Sequence, residues 1–189
     1  MKNKYGIGYE VEMKIKKAEY SDLQDLAGQY GFGKNLHAKM NMYKAVAQCR
    51  ETEIDPLILD AISGHGLGSD LVVEANLDAN EEVKLLHFIN FLYVQIHGFK
   101  FIECLSNTFD QVEILEHCSD FYKLRVPKEN KTIGFLFGMI EDKRDEYSIS
   151  EYSVSQTSLE QIFQNFANQS TNDQAAFTFK KNALGALVC

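Results

Sequence analysis

At 189 residues, 45% hydrophobic and 24% charged, the chain has ordinary globular usage and enough length to bury a core, which sets aside disordered and fibrous classes. A net charge of −8 and a pI near 5.1 argue against a nucleic-acid or anionic-membrane surface, since both need clustered Lys and Arg to replace counterions. The longest apolar run, 85–96, contains His87, Asn90 and Gln95 and is too short to span a bilayer, so direct membrane insertion is not expected.

In chain order, Tyr9, Val11, Met13 and Ile15 alternate with Glu10, Glu12, Lys14 and Lys16, which predicts a strand burying Val11 and Ile15 and exposing Glu10 and Glu12. Gly6 and Gly8 punctuate its start. The pattern turns helical from Tyr20 to Tyr30, breaks at Gly28, Gly31 and Gly33, and turns helical again from about Leu36 to Cys49. Asp55-Pro56 supplies a cap and a first helical position for a third helix through Leu57, Ile58, Leu59 and Ile62, ended by Gly64, Gly66 and Gly68. Asp78 or Asn80 caps a further helix, Glu81 to His97, apolar on most sides, with Gly98 as its stop. Phe99 to Cys104 reads as the second strand, and Tyr122, Leu124 and Val126 against Lys123 and Arg125 as the third, ended by Pro127. Ile133, Leu136, Phe137 and Ile140 form an i, i+3, i+4, i+7 helical stripe.

The closing segment holds a fourth strand and a helix. Tyr152 and Val154 take one face, Ser153 and Ser155 the other, and Thr157 or Ser158 then forms a capping box with Glu160 or Gln161. Leu159, Ile162, Phe163 and Phe166 follow as one apolar stripe. Reduced to its core, the order is strand, helix, strand, strand, helix, strand. That order predicts an α+β fold of the ferredoxin-like, split βαβ type: a four-stranded antiparallel sheet with two helices on one face. Residues from about 18 to 80 are then a helical insertion, the last helix an appendage, residues 1–169 one domain and 170–189 a tail.

The run Tyr152-Ser153-Val154-Ser155-Gln156-Thr157-Ser158-Leu159-Glu160-Gln161-Ile162-Phe163-Gln164-Asn165-Phe166-Ala167 resembles the segment closing the cytosolic regulatory domain that follows a nucleotide-binding domain in subfamily A ABC transporters, the lipid-exporter branch. Lys2-Asn3-Lys4-Tyr5-Gly6-Ile7-Gly8-Tyr9 resembles that domain's Lys-Asn-aromatic-Gly-x-Gly-Tyr opening, and 116–127 its middle strand. The resemblance covers about half the chain and nothing between about 18 and 80. It implies a non-catalytic domain at the cytosolic face of a membrane, packing against nucleotide-binding domains and other regulatory domains of an ATP-driven transporter. Ile162-Phe163-Gln164-Asn165-Phe166 matches the family's aliphatic-Phe-x-Asn-Phe segment, which makes Ile162, Phe163, Asn165 and Phe166 the candidate partner-docking residues, although packing in the domain's own core is the simpler role for Ile162, Phe163 and Phe166.

Chemistry is weighed residue by residue. Gly28-Gln29-Tyr30-Gly31-Phe32-Gly33-Lys34-Asn35 fits G-x-x-x-x-G-K, but Asn35 stands where a phosphate loop needs Ser or Thr for Mg²⁺, and the preceding residues look helical where a strand is required. Neither an acidic strand end for Mg²⁺ nor an ABC signature follows, so no ATPase site is expected. Among His37, His65, His87, His97 and His117, only His117-Cys118 with Cys104 approaches a zinc cluster, and its spacing is wrong. Glu141, Asp142, Asp145 and Glu146, mixed with Lys143 and Arg144, read as a solvated helix end, and Ser153 and Ser155 lack a nucleophile elbow. No catalytic residue, metal or cofactor is expected. Cys49, Cys104, Cys118 and Cys189 lack CxxC spacing, and with no secretory leader they read as reduced thiols in the cytoplasm. Two other readings stay open: a stand-alone docking piece derived from such a domain, and a ferredoxin-like small-molecule-binding domain.

Overall fold

The computed structural model describes residues 8–52, 54, 58–59, 62, 67–156 and 178–179. In chain order its elements are β1 (Gly8–Ile15), α1 (Tyr20–Gln29), β2 (Lys39–Asn41), α2 (Met42–Arg50), α3 (Ser69–Leu77), β3 (Glu82–Lys84), α4 (Leu85–Thr108), β4 (Val112–Cys118), β5 (Phe121–Pro127), α5 (Ile133–Lys143), β6 (Ile149–Gln156) and β7 (Thr178–Phe179). The chain divides into two compact units. One takes its described residues from 8–15, 98–117, 121–156 and 178–179; the other holds 16–97 and 118–120.

The first unit is built on a sheet with strand order β6-β1-β5-β4, and β7 adds beside β4. Mixed α/β architecture with a four-stranded antiparallel sheet is therefore present, as the sequence led one to expect. Alternation in β1 places Tyr9, Val11, Met13 and Ile15 in the core. Val11 lies opposite Leu124 on β5 and Val154 on β6, so three apolar side chains meet across the central strands. Complete burial of such a side chain, as at Val11 and Leu124, stabilises by about 1.5–3 kcal/mol, whereas Val154 is half-buried. Leu136 and Ile140 of α5 are buried, and α5 packs on β6. Glu10, expected on the wet face, is only 5% exposed. It lies between Arg125 and Ser155 on the two neighbouring strands, where a central-strand side chain is covered from both sides.

The second strand is not at Phe99–Cys104. Those residues belong to α4, and the second strand of the sheet is β4. Lys100, Glu103 and Asn107 are exposed at i, i+3 and i+7, while Phe101, Ile102 and Leu105 are buried, so the wet face follows a helical period. Gly98, expected as a helix stop, lies within the helix for a packing reason. A Cβ there would sit 2.2 Å from the Tyr122 hydroxyl oxygen, and Tyr122 is fully buried.

In the second unit, α1 begins at Tyr20 as expected, with the Asp22 carboxylate accepting from the Glu19 amide at 3.2 Å. The helix expected from Leu36 starts only at Met42, because Lys39–Asn41 pairs antiparallel with Glu82–Lys84. Asn41 caps α2 by accepting from the Lys44 amide at 3.2 Å and donates to the Asn80 carbonyl at 2.9 Å. The helix expected from Glu81 likewise starts at Leu85, after β3. Asp78 bonds the Asn80 amide and Lys39 Nζ instead of capping a helix, and α3 occupies a stretch with no anticipated element. Asp55 and Pro56, the expected helix opening, lie outside the described residues, as does the closing helix beyond Gln156.

Candidate functional site

Gly8, Tyr9, Tyr152, Ser153, Val154, Ser155 and Gln156, the described part of the motif set, come together on the β1–β6 pair. Tyr9 lies opposite Gln156, Glu10 opposite Ser155, Glu12 opposite Ser153 and Met13 opposite Tyr152. The described ends of the two segments that carry the resemblance, far apart in sequence, thus meet where Tyr9 lies opposite Gln156. Gly6, Thr157, Leu159 and the docking candidates Ile162, Phe163, Asn165 and Phe166 lie outside the described residues.

Each of these positions has a local reason. A Cβ on Gly8 would lie 2.7 Å from the Val126 carbonyl oxygen, so only glycine permits the close approach of β1 to β5 there. Tyr9 is 2% exposed and its hydroxyl donates to the Lys131 carbonyl at 3.1 Å, tying β1 to the loop before α5. Tyr152 donates to Glu141 at 2.6 Å and packs against Phe137, ring centroids 5.8 Å apart. The Glu141 carboxylate beside it, helped by partial burial, raises the Tyr152 phenol above its ordinary range. On the other face, Ser153 Oγ donates to Glu12 at 3.4 Å.

That other face carries charges that pair with one another. Lys123 Nζ lies 2.9 Å from Glu12 and 3.5 Å from Glu10, and the bond to Glu12 is the main reason its ammonium is held above the usual lysine range. Arg125 meets Glu113 at 3.3 Å. Ser153 and Ser155 sit in this ladder as strand residues, Ser153 beside Glu12 and Ser155 opposite Glu10. A shallow depression of about 390 Å³ lies beside the β1–β6 pair, lined by Tyr9, Lys128–Ile133 and Gln156.

Around this pair, three groups that sequence reasoning passed over do the joining. Glu129 accepts from the Asp110 amide at 2.8 Å and from Lys131 Nζ at 2.7 Å, and Lys131 also donates to the Thr108 carbonyl at 2.9 Å. Arg144 donates to the Ile149 and Ser150 carbonyls, so the charged run expected as a solvated helix end also ties α5 to β6. Nothing in residue spacing marks these roles, because each depends on a carbonyl or amide brought close by the fold. α5 also presents Ile133, Phe135 and Phe137 at 37%, 48% and 40% exposure, a surface that a stripe read as core does not anticipate.

The other candidates fall apart on geometry. Gly28 lies within α1, so a helix, not a strand, precedes Gly31, Gly33 and Lys34. His117 stacks on Tyr122 at 3.9 Å and meets Phe99 edge-on, which are packing contacts. Among the described residues, no three His, Cys, Asp or Glu side chains gather to hold a metal ion. Burial pushes the Cys49 thiol up to about 12, which fits an unreactive core thiol. No helix of the described residues is long and apolar enough to cross a membrane.

Compared with known proteins, residues 95–156 match the family model described as "ABCA1-like, C-terminal R1 regulatory domain". The match spans about a third of the chain, from within α4 through β4, β5, α5 and β6, and includes Tyr152 to Gln156. It supports the resemblance to the C-terminal regulatory domain of subfamily A ABC transporters. No curated protein matches the chain.

Proposed function

We propose, with the R1 match over residues 95–156 as premise, that this chain is a non-catalytic regulatory domain of a subfamily A ABC transporter. It packs against a nucleotide-binding domain on the cytosolic side and biases how readily such domains close around ATP during lipid transport. The match carries this reading. The β1–β6 register supports it, because it sets Tyr9 of the opening motif, outside the matched span, opposite Gln156 of the closing motif, the last residue inside it. A ferredoxin-like core within a single domain over residues 1–169 is part of the proposal. Its support is a central β1 between β5 and β6, with α4 preceding β4 and α5 linking β5 to β6. Residues 18–80 then form an insertion.

Docking runs through Ile162, Phe163, Asn165 and Phe166, which follow β6 in sequence. Regulation requires different affinities for the open and closed states, since a domain that binds both equally shifts nothing. Surface plasmon resonance of the immobilised 189-residue chain against a purified subfamily A nucleotide-binding domain, with and without Mg-ATP, tests this. Binding that depends on nucleotide and weakens in Phe166→Ala is expected. Equal affinity in both states would remove the regulatory role, and absence of binding would remove the partner.

A further inference from the structure

The two sides of the β6-β1-β5-β4 sheet are finished differently. At β6, Arg144 takes up the carbonyls of Ile149 and Ser150, and Glu151, Ser153 and Ser155 are exposed, so polar groups dominate that edge. Such devices keep an edge from recruiting another strand. On the opposite side, β4 runs seven residues with Val112 buried and Ile114 and Leu115 half-buried. An edge of that kind is a template for strand addition, in which main-chain bonds supply the affinity. A strand is already seated on it. Thr178 and Phe179 of β7 pair antiparallel with Glu113 and Val112, and among the described residues β7 covers only these two positions of β4.

The seat is small and the strand that fills it is tethered. β6 and β7 lie four strand spacings apart in the sheet, about 19 Å, whereas the connecting residues 157–177 would span about 70 Å if extended. The pairing is therefore not forced by a taut connection. In sequence, Phe177 and Phe179 flank Thr178, a short run of strand-forming types. We propose that the outer edge of β4 is an acceptor site for an extended segment, and that this chain's own residues 178–179 fill it in cis as an exchangeable strand, shielding it from other extended segments. Tethering holds the strand at an effective concentration of about millimolar, so a free peptide competes only when the chain's own strand is disabled. The inference rests on the β4–β7 pairing and stands apart from docking through residues 162–166.

A labelled synthetic peptide of residues 174–183, titrated into the 189-residue chain and into the double variant Thr178→Pro, Phe179→Pro, tests it. Proline removes the amides that a ladder needs. Fluorescence anisotropy is expected to show the peptide binding the variant at least about tenfold more tightly than the unaltered chain. Hydrogen exchange at the first residues of β4 is expected to quicken about tenfold in the variant, with β1 and β5 unchanged. Equal peptide affinity in both chains, or no binding to the variant, overturns the acceptor site. Faster exchange in β1 as well would make β7 part of the sheet's stability and overturn its exchangeable role, as would unchanged exchange in β4. A dimer by sedimentation velocity that becomes monomeric in the variant would place the strand on a second copy and overturn the cis assignment.

Discussion

Tyr122 lies fully buried with its phenol end against the backbone of Gly98, and that contact reverses the usual effect of glycine in a helix. Helix propensity favours alanine over glycine by about 1 kcal/mol, but at Gly98 the added methyl would meet the hydroxyl oxygen and two ring carbons of Tyr122. Overpacking costs about 1–3 kcal/mol, so Gly98→Ala is expected to destabilise in urea unfolding, whereas Gly138→Ala in α5 is expected to stabilise by about 0.5–1 kcal/mol. The strand face of β1 gives a second contrast. Val11 is completely buried between Leu124 and Val154, so Val11→Asp places an unmatched charge in the core and is expected to abolish the cooperative transition. Glu12 is half-buried and Ser153 stays beside it, so Glu12→Lys, which loses the ion pair to Lys123, is expected to cost no more than about 1 kcal/mol. Equal losses of melting temperature in the two variants would contradict the assigned face.

The loops between elements take their chemistry from their neighbours. Burial pushes the Glu129 carboxyl up, but the Asp110 amide and the Lys131 ammonium outweigh it and hold the group below the usual carboxylate range. A depressed folded-state pKa contributes stability above the unfolded value near 4.5, and that stability is lost as pH falls through the folded value. Glu129→Gln is therefore expected to flatten the fall of melting temperature below about pH 4.5, and an unchanged acid limb would show that the carboxylate contributes nothing. The glycine loop after α1 makes a negative prediction. With Asn35 in place of a Mg²⁺-binding hydroxyl and a helix in place of the leading strand, calorimetric titration with Mg-ATP is expected to show no heat that depends on Lys34. Micromolar affinity lost in Lys34→Ala would revive a nucleotide site.

At the scale of the whole molecule, legibility followed periodicity. β1, β5, α5 and β6 declare themselves because each buries one face in a regular period, and their registers meet at Val11, Leu124 and Val154. β4 was missed because only Val112 is fully buried and the rest of the strand is half-buried or exposed without alternation. Residues 99–104 of α4 read as a strand because Phe99-Lys100-Phe101 alternates locally, and the helical wet face of Lys100, Glu103 and Asn107 emerges only over a longer window. β2 and β3 are three residues each and pair with a distant segment, a contact that local propensity does not encode. Of the candidate site, the β1–β6 motif residues were legible, while Glu129, Lys131 and Arg144 were not, because their partners are backbone atoms supplied by remote loops.

The central place of β1 has a consequence for how the chain comes to be folded. Its hydrogen-bonding neighbours are residues 121–127 and 149–156, so β1 leaves a ribosome roughly a hundred residues ahead of any strand that pairs with it. At ordinary elongation speeds that wait lasts on the order of 5–20 s, and the contact between Tyr9 and Gln156 gives the sheet the non-local closure that slows folding. Through that interval Glu10, Glu12 and Lys14 serve as gatekeepers, keeping a nascent apolar strand from pairing with its neighbours on a polysome.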